Sequence, residues 1–412
     1  MLFIPSDEIQ TRLINERVGV FADYSENAPH NWLLAKLPMS ALRIIHAGAG
    51  TSLSVWVTET DGGRIAALGL IVHDDPFSPI CIFGACRNHE EVNRLHAVLS
   101  SGAFPLQFYN ENTLPILYAS CRVEVTLARP VIDLLPTVLL QDSQVVRLQA
   151  NDAIEEWVRS GSSLRVIAHC ALPIALDQME TQRIEVIGSG EVGLNVQDEG
   201  GELEKLAFQN LEHIYPFGTF LNPWVGEGKS RRELCDVLAV SRIQGLEEEG
   251  IIVVQSKVAS SDASALVRSA DRKVRNIKHN IMAAIRQLIG AIRDLRGDSK
   301  IFHADGRPIE EEQYPDASLD LKPLLLRERA SKTGHGIVLV SEMHELVDWP
   351  SIFDALKDAS AKTGYMCQVL DLHELGQIVL HSQQPAVFEC RLIERWEAMI
   401  KSKNALVRCK FV

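Results

Sequence analysis

Two short runs near the middle of the chain hold residues whose types and spacing could do chemistry: Asp236 in ELCDVLAV, then Gln255 and Lys257 in IIVVQSKV. A carboxylate is a hard oxygen ligand for a divalent cation, and a glutamine side chain offers another oxygen. A lysine ammonium offsets phosphate charge and can orient or help deprotonate an attacking water. The set suits metal-assisted hydrolysis of a phosphodiester. A further carboxylate stands upstream in GELEKLAF, where Glu204, or failing it Glu202, could complete the metal shell. Asp236, Gln255 and Glu204 are therefore the candidate ligands of Mg²⁺ or Mn²⁺, and Lys257 joins them as the catalytic set. Glu202, Glu233 and Gln287 form a second tier, Gln287 for positioning water or phosphate.

For these groups to meet, the two runs must be neighbouring strands. Ile251, Ile252, Val253 and Val254 make a continuous apolar run, which predicts a strand buried on both faces. A lysine at the end of such a strand is a costly neighbour unless it faces a site or reaches water. Period-two alternation puts Gln255 and Lys257 on one face and Ser256 on the other. Glu247, Glu248, Glu249 and Gly250 read as the turn before this strand. Upstream, Leu203, Leu206, Ala207 and Leu211 recur at helical spacing with Glu202 and Glu204 in the first turn.

This order (acidic helix, strand with an aspartate, hairpin, strand ending in Gln-Ser-Lys, then a helix) resembles the PD-(D/E)XK nuclease superfamily, the restriction-endonuclease-like fold. The resemblance makes Asp236 the family aspartate and Lys257 its lysine, with Glu204 at the helix position because Leu211 follows seven residues later. Gln255 departs from the usual Glu or Asp, as in the QxK variant of the Mrr-like branch of restriction nucleases, and removes one negative charge from the metal site. The resemblance implies a Mg²⁺- or Mn²⁺-dependent endonuclease acting on nucleic acid, preferably DNA, often as a homodimer; in a bacterium it would fit a restriction or anti-phage effector. The neutral Gln255 also suits an alternative, a nuclease fold that binds nucleic acid or serves assembly without cutting.

Beyond this core, residues 263–297 carry Arg268, Arg272, Lys273, Arg275, Lys278, Arg286, Arg293 and Arg296 against Asp271 and Asp294. Ile277, Ile281, Ile285, Leu288, Ile292 and Leu295 fall at helical spacing, so a long amphipathic helix, or two joined helices, ends at Gly297 with one basic side. Arg268, Arg272, Lys273, Arg275 and Lys278 are the candidate contacts to phosphates. HGIVLVSE and GYMCQVLDL then read as strands, with SIFDALKDASAK a helix between them and a mainly helical remainder. Fold class follows: α/β, α+β overall, with a C-terminal restriction-endonuclease-like α/β/α core on a mixed sheet.

The N-terminal residues 1–150 read as an α+β module of regulatory or recognition type, with ten basic and fifteen acidic residues and no catalytic constellation. A regulatory partner could act through it. LSVWVTET and RIAALGLIV flank the turn Asp61-Gly62-Gly63. ICIFGA reads as a strand, HEEVNRLHAVLSS as a helix closed by Gly102, and CRVEVTLARPVIDLLP as a strand-like run. Residues 151–195 are expected to connect, with 151–160 helical and 161–200 a mix of short strands and turns, and 196–412 to form the nuclease domain.

Composition narrows the classes further. The chain has 412 residues, 46% hydrophobic and 23% charged, which disfavours disorder and rods and suits more than one domain. No run of about 18 apolar residues occurs, so no membrane association is expected. Asp7 and Glu8 follow the first apolar residues at once, unlike a secretory signal, and the expected location is the cytoplasm. The eight cysteines are scattered without zinc spacing and read as buried thiols.

Overall fold

A computed structural model of the chain describes residues 3–25, 28–74, 79–138, 144–182, 184–186, 190–192, 194, 198–241, 250–258, 270–309, 326–332, 334–341, 343, 347–382 and 384–407. The fold is a mixed one, α+β overall, divided into two units. The first is chiefly Met1–Ile184, the second chiefly Val196–Ser260 with Ala270–Val412.

In the first unit the chain forms α1 (Asp7–Asn15), β1 (Gly19–Ser25), β2 (Ala28–Lys36), α2 (Met39–His46), β3 (Thr51–Thr60), β4 (Gly63–Val72), β5 (Ile80–Ala85), α3 (His89–Ser101), β6 (Ala103–Tyr109), β7 (Pro115–Arg122), α4 (Val125–Ile132), α5 (Gln144–Ser160) and β8 (Val166–Thr181). The strands make one sheet in the order β1-β2-β6-β7-β8-β3-β4-β5. The Asp-Gly turn joins β3 to β4 as the expected antiparallel pair, with Thr60 opposite Gly63. Gly102 closes α3 in the left-handed region at φ 69°, and the Asn88 side chain caps its start by accepting from the Glu91 N–H.

Two sequence expectations fail in this unit. Residues 125–132 are helical rather than strand-like: Ala128, Val131 and Ile132 are buried at helical spacing, and the β-branched residues that suggested a strand pack equally well on that face. Residues 151–195 are not a connector. Asn151–Ser160 complete α5, whose Val146, Ala150 and Ile154 pack on Ile65, Ala85, Trp56 and Ala67. β8 lies inside the sheet, pairing with β3 through Val166–Ile174 and with β7 through Ala175–Thr181. Its alternation is real, with Cys170, Leu172 and Ile174 buried, but the exposed residues between and after them, Ala171, Pro173 and Ala175, are apolar too and hide it. The module therefore extends past residue 150 to about 184.

After the short strands β9 (Ile184–Val186) and β10 (Gly190–Val192), the second unit comprises α6 (Glu199–Ile214), β11 (Thr219–Leu221), β12 (Trp224–Val225), β13 (Arg232–Glu233), β14 (Val237–Val240), β15 (Ile251–Lys257), α7 (Ala270–Leu295), β16 (Ile301–Phe302), α8 (Leu326–Ser331), β17 (His335–Val340), α9 (Trp349–Thr363), β18 (Met366–Asp371), α10 (Leu372–Leu380) and α11 (Pro385–Ser402). Its main sheet is mixed, ordered β11-β14-β15-β17-β18: β11, β14 and β15 are antiparallel neighbours, while β17 and β18 continue parallel to β15. The parallel step from β15 to β17 needs a long crossover, which α7 supplies. β13, β12 and β16 form a small separate sheet.

Helices cover both faces of the main sheet. Ile251, Val253, Val338, Val340 and Val369 join α7 and α9 in one core, where Ile277, Ile281, Ile285, Leu288, Ile292 and Leu295 are all buried. Each such side chain contributes about 1.5–3 kcal/mol on leaving water. On the opposite face, the Gln368 amide donates to the Leu392 carbonyl of α11. Glu247, Glu248 and Glu249 lie outside the described residues. Among the described residues no helix is long and apolar enough to cross a membrane.

Candidate functional site

The candidate site is assembled where β14 begins and β15 ends. Asp236 immediately precedes β14, and its backbone N–H donates to the Val254 carbonyl at 3.1 Å, extending the ladder that sets Val237 opposite Val254. Asp236 itself lies just before that register, which begins at Val237. Its side chain is only 6% exposed, and Oδ2 accepts from both the Ser256 N–H (2.5 Å) and the Ser256 hydroxyl (2.6 Å). Two donors on one oxygen fix the carboxylate and leave Oδ1 for other partners.

Asn222 ties this strand end to α6. Its backbone is left-handed at φ 48°, a conformation asparagine tolerates better than most residues. Its N–H donates to the Asp236 carbonyl at 2.8 Å, and its Nδ2 donates to Glu204 Oε2 at 3.0 Å. The Oδ1 of Asn222 is buried and has no hydrogen-bond partner. Glu202, two residues before Glu204, is turned about 200° around the helix, so the two acids cannot face one site. Glu204 is the one joined to the strands, while Glu202 is buried on α6.

The acids feel one another. Burial pushes the Glu204 carboxyl up, the Asp236 and Asp198 charges add to the rise, and the Asn222 hydrogen bond and Lys257 oppose it. Glu233, on β13, is pushed up to about 7 by loss of water around it, by the Asp236 and Glu204 charges and by a hydrogen bond shared with Asp236, with Lys257 again opposing. Burial and the Asp236 and Glu233 charges likewise raise the Cys235 thiol. Glu204, Glu233, Asp236 and Lys257 thus form one electrostatic group, three carboxylates against one ammonium.

Gln255 is 5% exposed and makes no side-chain hydrogen bond among the described residues. It shares a strand face with Lys257, as the alternation predicted. Ser256 was read as pointing away from the chemistry; instead it holds the Asp236 carboxylate. Gln287 does not join the group. Asn280 of α7 donates to the Val258 carbonyl at 3.0 Å, beside the end of β15, and Gln287 lies seven residues further along with an exposed side chain, about 10 Å on. Of the basic candidates, Arg268 lies outside the described residues, and so do the side chains of Arg272 and Lys273 on α7. Arg275 is exposed on α7, and Lys278 is ion-paired to Asp348 at 2.8 Å.

Asn222 and Ser256 are the residues that sequence reasoning missed. The Asn-Pro dipeptide of LNPW is a turn signal that flags Asn222, whereas nothing in the letters QSK distinguishes the middle serine.

Among the described residues no three His, Cys, Asp or Glu side chains are arranged to hold a metal ion by themselves. The donor chemistry nevertheless fits a hard cation: Glu204 and Glu233, raised by burial and then by the neighbouring acids, stand near Asp236, with the neutral Asn222 Oδ1 beside them. Comparison of the chain with protein-family models, with curated proteins and with solved structures finds no match.

Proposed function

We propose that the second unit is a metal-dependent nuclease of the restriction-endonuclease-like kind, acting by phosphodiester hydrolysis and preferably on DNA. The observation that carries this reading is the convergence of Glu204, Glu233, Asp236 and Lys257 at the end of the β14–β15 ladder. The order of elements supports it: α6 with Glu204, a strand headed by Asp236, β15 ending in Gln-Ser-Lys, then α7 as crossover to the parallel β17.

Asp236, Glu204 and the Gln255 oxygen would hold Mg²⁺ or Mn²⁺, which when bound supplies charge to offset the phosphate and to acidify water. Ser256 keeps the Asp236 carboxylate at a fixed angle. Lys257 sits against the scissile phosphate as a point charge and orients the attacking water. Glu233 can accept a proton near neutrality, the property a general base needs. Arg275 and Lys278 on α7 would meet backbone phosphates, with Arg268, Arg272 and Lys273 as further contacts. Cutting both strands would call for a homodimer, and the acidic first unit would restrain the nuclease until a signal or partner arrives, as in a bacterial defence effector.

Cleavage of plasmid, linear and single-stranded DNA and of RNA, with Mg²⁺ or Mn²⁺, tests this reading in wild type, Asp236→Ala and Lys257→Ala. Metal-dependent cleavage lost in both variants, with circular dichroism unchanged, is the expected result. Cleavage that survives both substitutions would move the chemistry elsewhere.

A further inference from the structure

We propose that Asn222 is part of the cation site itself, its side-chain oxygen serving as a neutral ligand beside the carboxylates of Asp236 and Glu204. This inference rests on the metal-dependent reading above and adds to it a residue that the nuclease resemblance does not supply. The geometry points to it in three ways.

Asn222 is attached to both acids at once, through its N–H to the Asp236 carbonyl at 2.8 Å and through Nδ2 to Glu204 Oε2 at 3.0 Å. Its amide orientation is set by that second bond, because only the NH₂ end can donate to a carboxylate. The other end, Oδ1, is therefore turned into buried space with no donor to meet it. A buried carbonyl oxygen in that state carries a desolvation penalty, and a cation is one partner that removes it.

A second unpartnered amide stands in the same place. Gln255 is 5% exposed, without a side-chain hydrogen bond among the described residues, and directly follows Val254, whose carbonyl accepts from the Asp236 N–H. Two neutral oxygens thus flank acids that repel one another. A trapped water could donate to Asn222 Oδ1, but it would leave the repulsion between the carboxylates unrelieved. A divalent cation answers both needs, since it gives Asn222 Oδ1 a partner and offsets the acidic group beside it. The neutral Gln255, read from the sequence as a loss of ligand charge, is then one of a pair of amide ligands.

The test is direct Mn²⁺ binding to the full-length protein without nucleic acid, by calorimetry and by loss of the free-Mn²⁺ paramagnetic resonance signal. Asn222→Gly deletes the amide while keeping a residue at ease at φ 48°. Asn222→Asp keeps an oxygen at the same position but loses the donor to Glu204. The expected result is Mn²⁺ affinity at least about tenfold weaker in Asn222→Gly and equal or tighter in Asn222→Asp. Unchanged affinity in Asn222→Gly would overturn the proposal, as would an equal fall in both variants, which would make the side-chain NH₂ donor to Glu204 rather than the oxygen the operative group. Binding by wild type that disappears in Asp236→Asn would leave the metal-dependent reading standing in those cases. Absence of any Mn²⁺ binding by wild type would overturn that reading and this proposal together.

Discussion

Ser256 donates twice to one oxygen of Asp236, so the orientation of the proposed metal ligand depends on a hydroxyl that has no chemistry of its own. Ser256→Ala leaves the backbone donor and removes the other. A hydrogen bond to a charged acceptor in a buried setting contributes about 1.5–3 kcal/mol; the urea midpoint should fall accordingly, and cleavage should drop with it. If cleavage is unchanged, the hydroxyl is only structural. Asp236 and Lys257 were legible in the sequence because a charged residue bounding an apolar run is conspicuous. Ser256 and Asn222 were not, because their roles arise from a hydrogen bond across a ladder and from a loop returning to a helix. A second prediction concerns His335, the first residue of β17, 3% exposed and lowered by burial from 6.5 to about 4. Below pH 6.5 the unfolded chain takes up a proton that the folded one refuses. Stability should therefore be highest above pH 6.5 and fall by about 1.4 kcal/mol per unit as the pH drops toward 4. Urea unfolding at several pH values should show that slope in wild type and a shallower one in His335→Gln.

α7 is the element that joins the sheet to the proposed nucleic-acid contacts. Its buried stripe packs tightly enough that a Cβ on Gly336 of β17 would stand 2.9 Å from Leu288 Cδ2 and 3.1 Å from Cys367 Sγ. Gly336→Ala should destabilise the protein by about 1–3 kcal/mol through overpacking, read as a lower thermal midpoint. On the outer side, the ion pair of Lys278 with Asp348 is exposed and worth little, so phosphate can compete for the lysine. Replacing Arg275 and Lys278 together with glutamine should reduce the slope of log affinity against log salt by about 1–2 if both reach phosphates, measurable by fluorescence anisotropy. An unchanged slope would remove these two from the interface. At this scale the sequence was readable wherever one period ran uninterrupted, as in α7, α3 and the β3–β4 hairpin. It misled at α4, where β-branched residues occupy a helical face around Pro130, and at β8, where the exposed positions Ala171, Pro173 and Ala175 are apolar and mask the alternation.

For the molecule as a whole, the division into two units changes where the chain can be cut. A fragment starting at residue 151 would carry half of α5 and a β8 stripped of both its neighbours, and should aggregate through those open edges. One starting at about residue 184 avoids both faults and should elute as a defined species in size-exclusion chromatography with a cooperative melt. If the acidic first unit restrains cleavage, that shorter fragment should cut faster than the full chain. β8 also has a consequence for the order of events during synthesis. β3-β4-β5 and β1-β2-β6-β7 are hydrogen-bonded into one sheet only through β8, which comes last of the eight, although β1 also lies against β4 and β5. Until residue 181 has left the ribosome, β3 and β7 each present an unpaired margin to the cell, and at about 5–20 residues per second this interval lasts seconds. The nascent first unit is thus a natural client for a chaperone that shields exposed strands, and slowing translation just before codon 166 should lower its soluble yield.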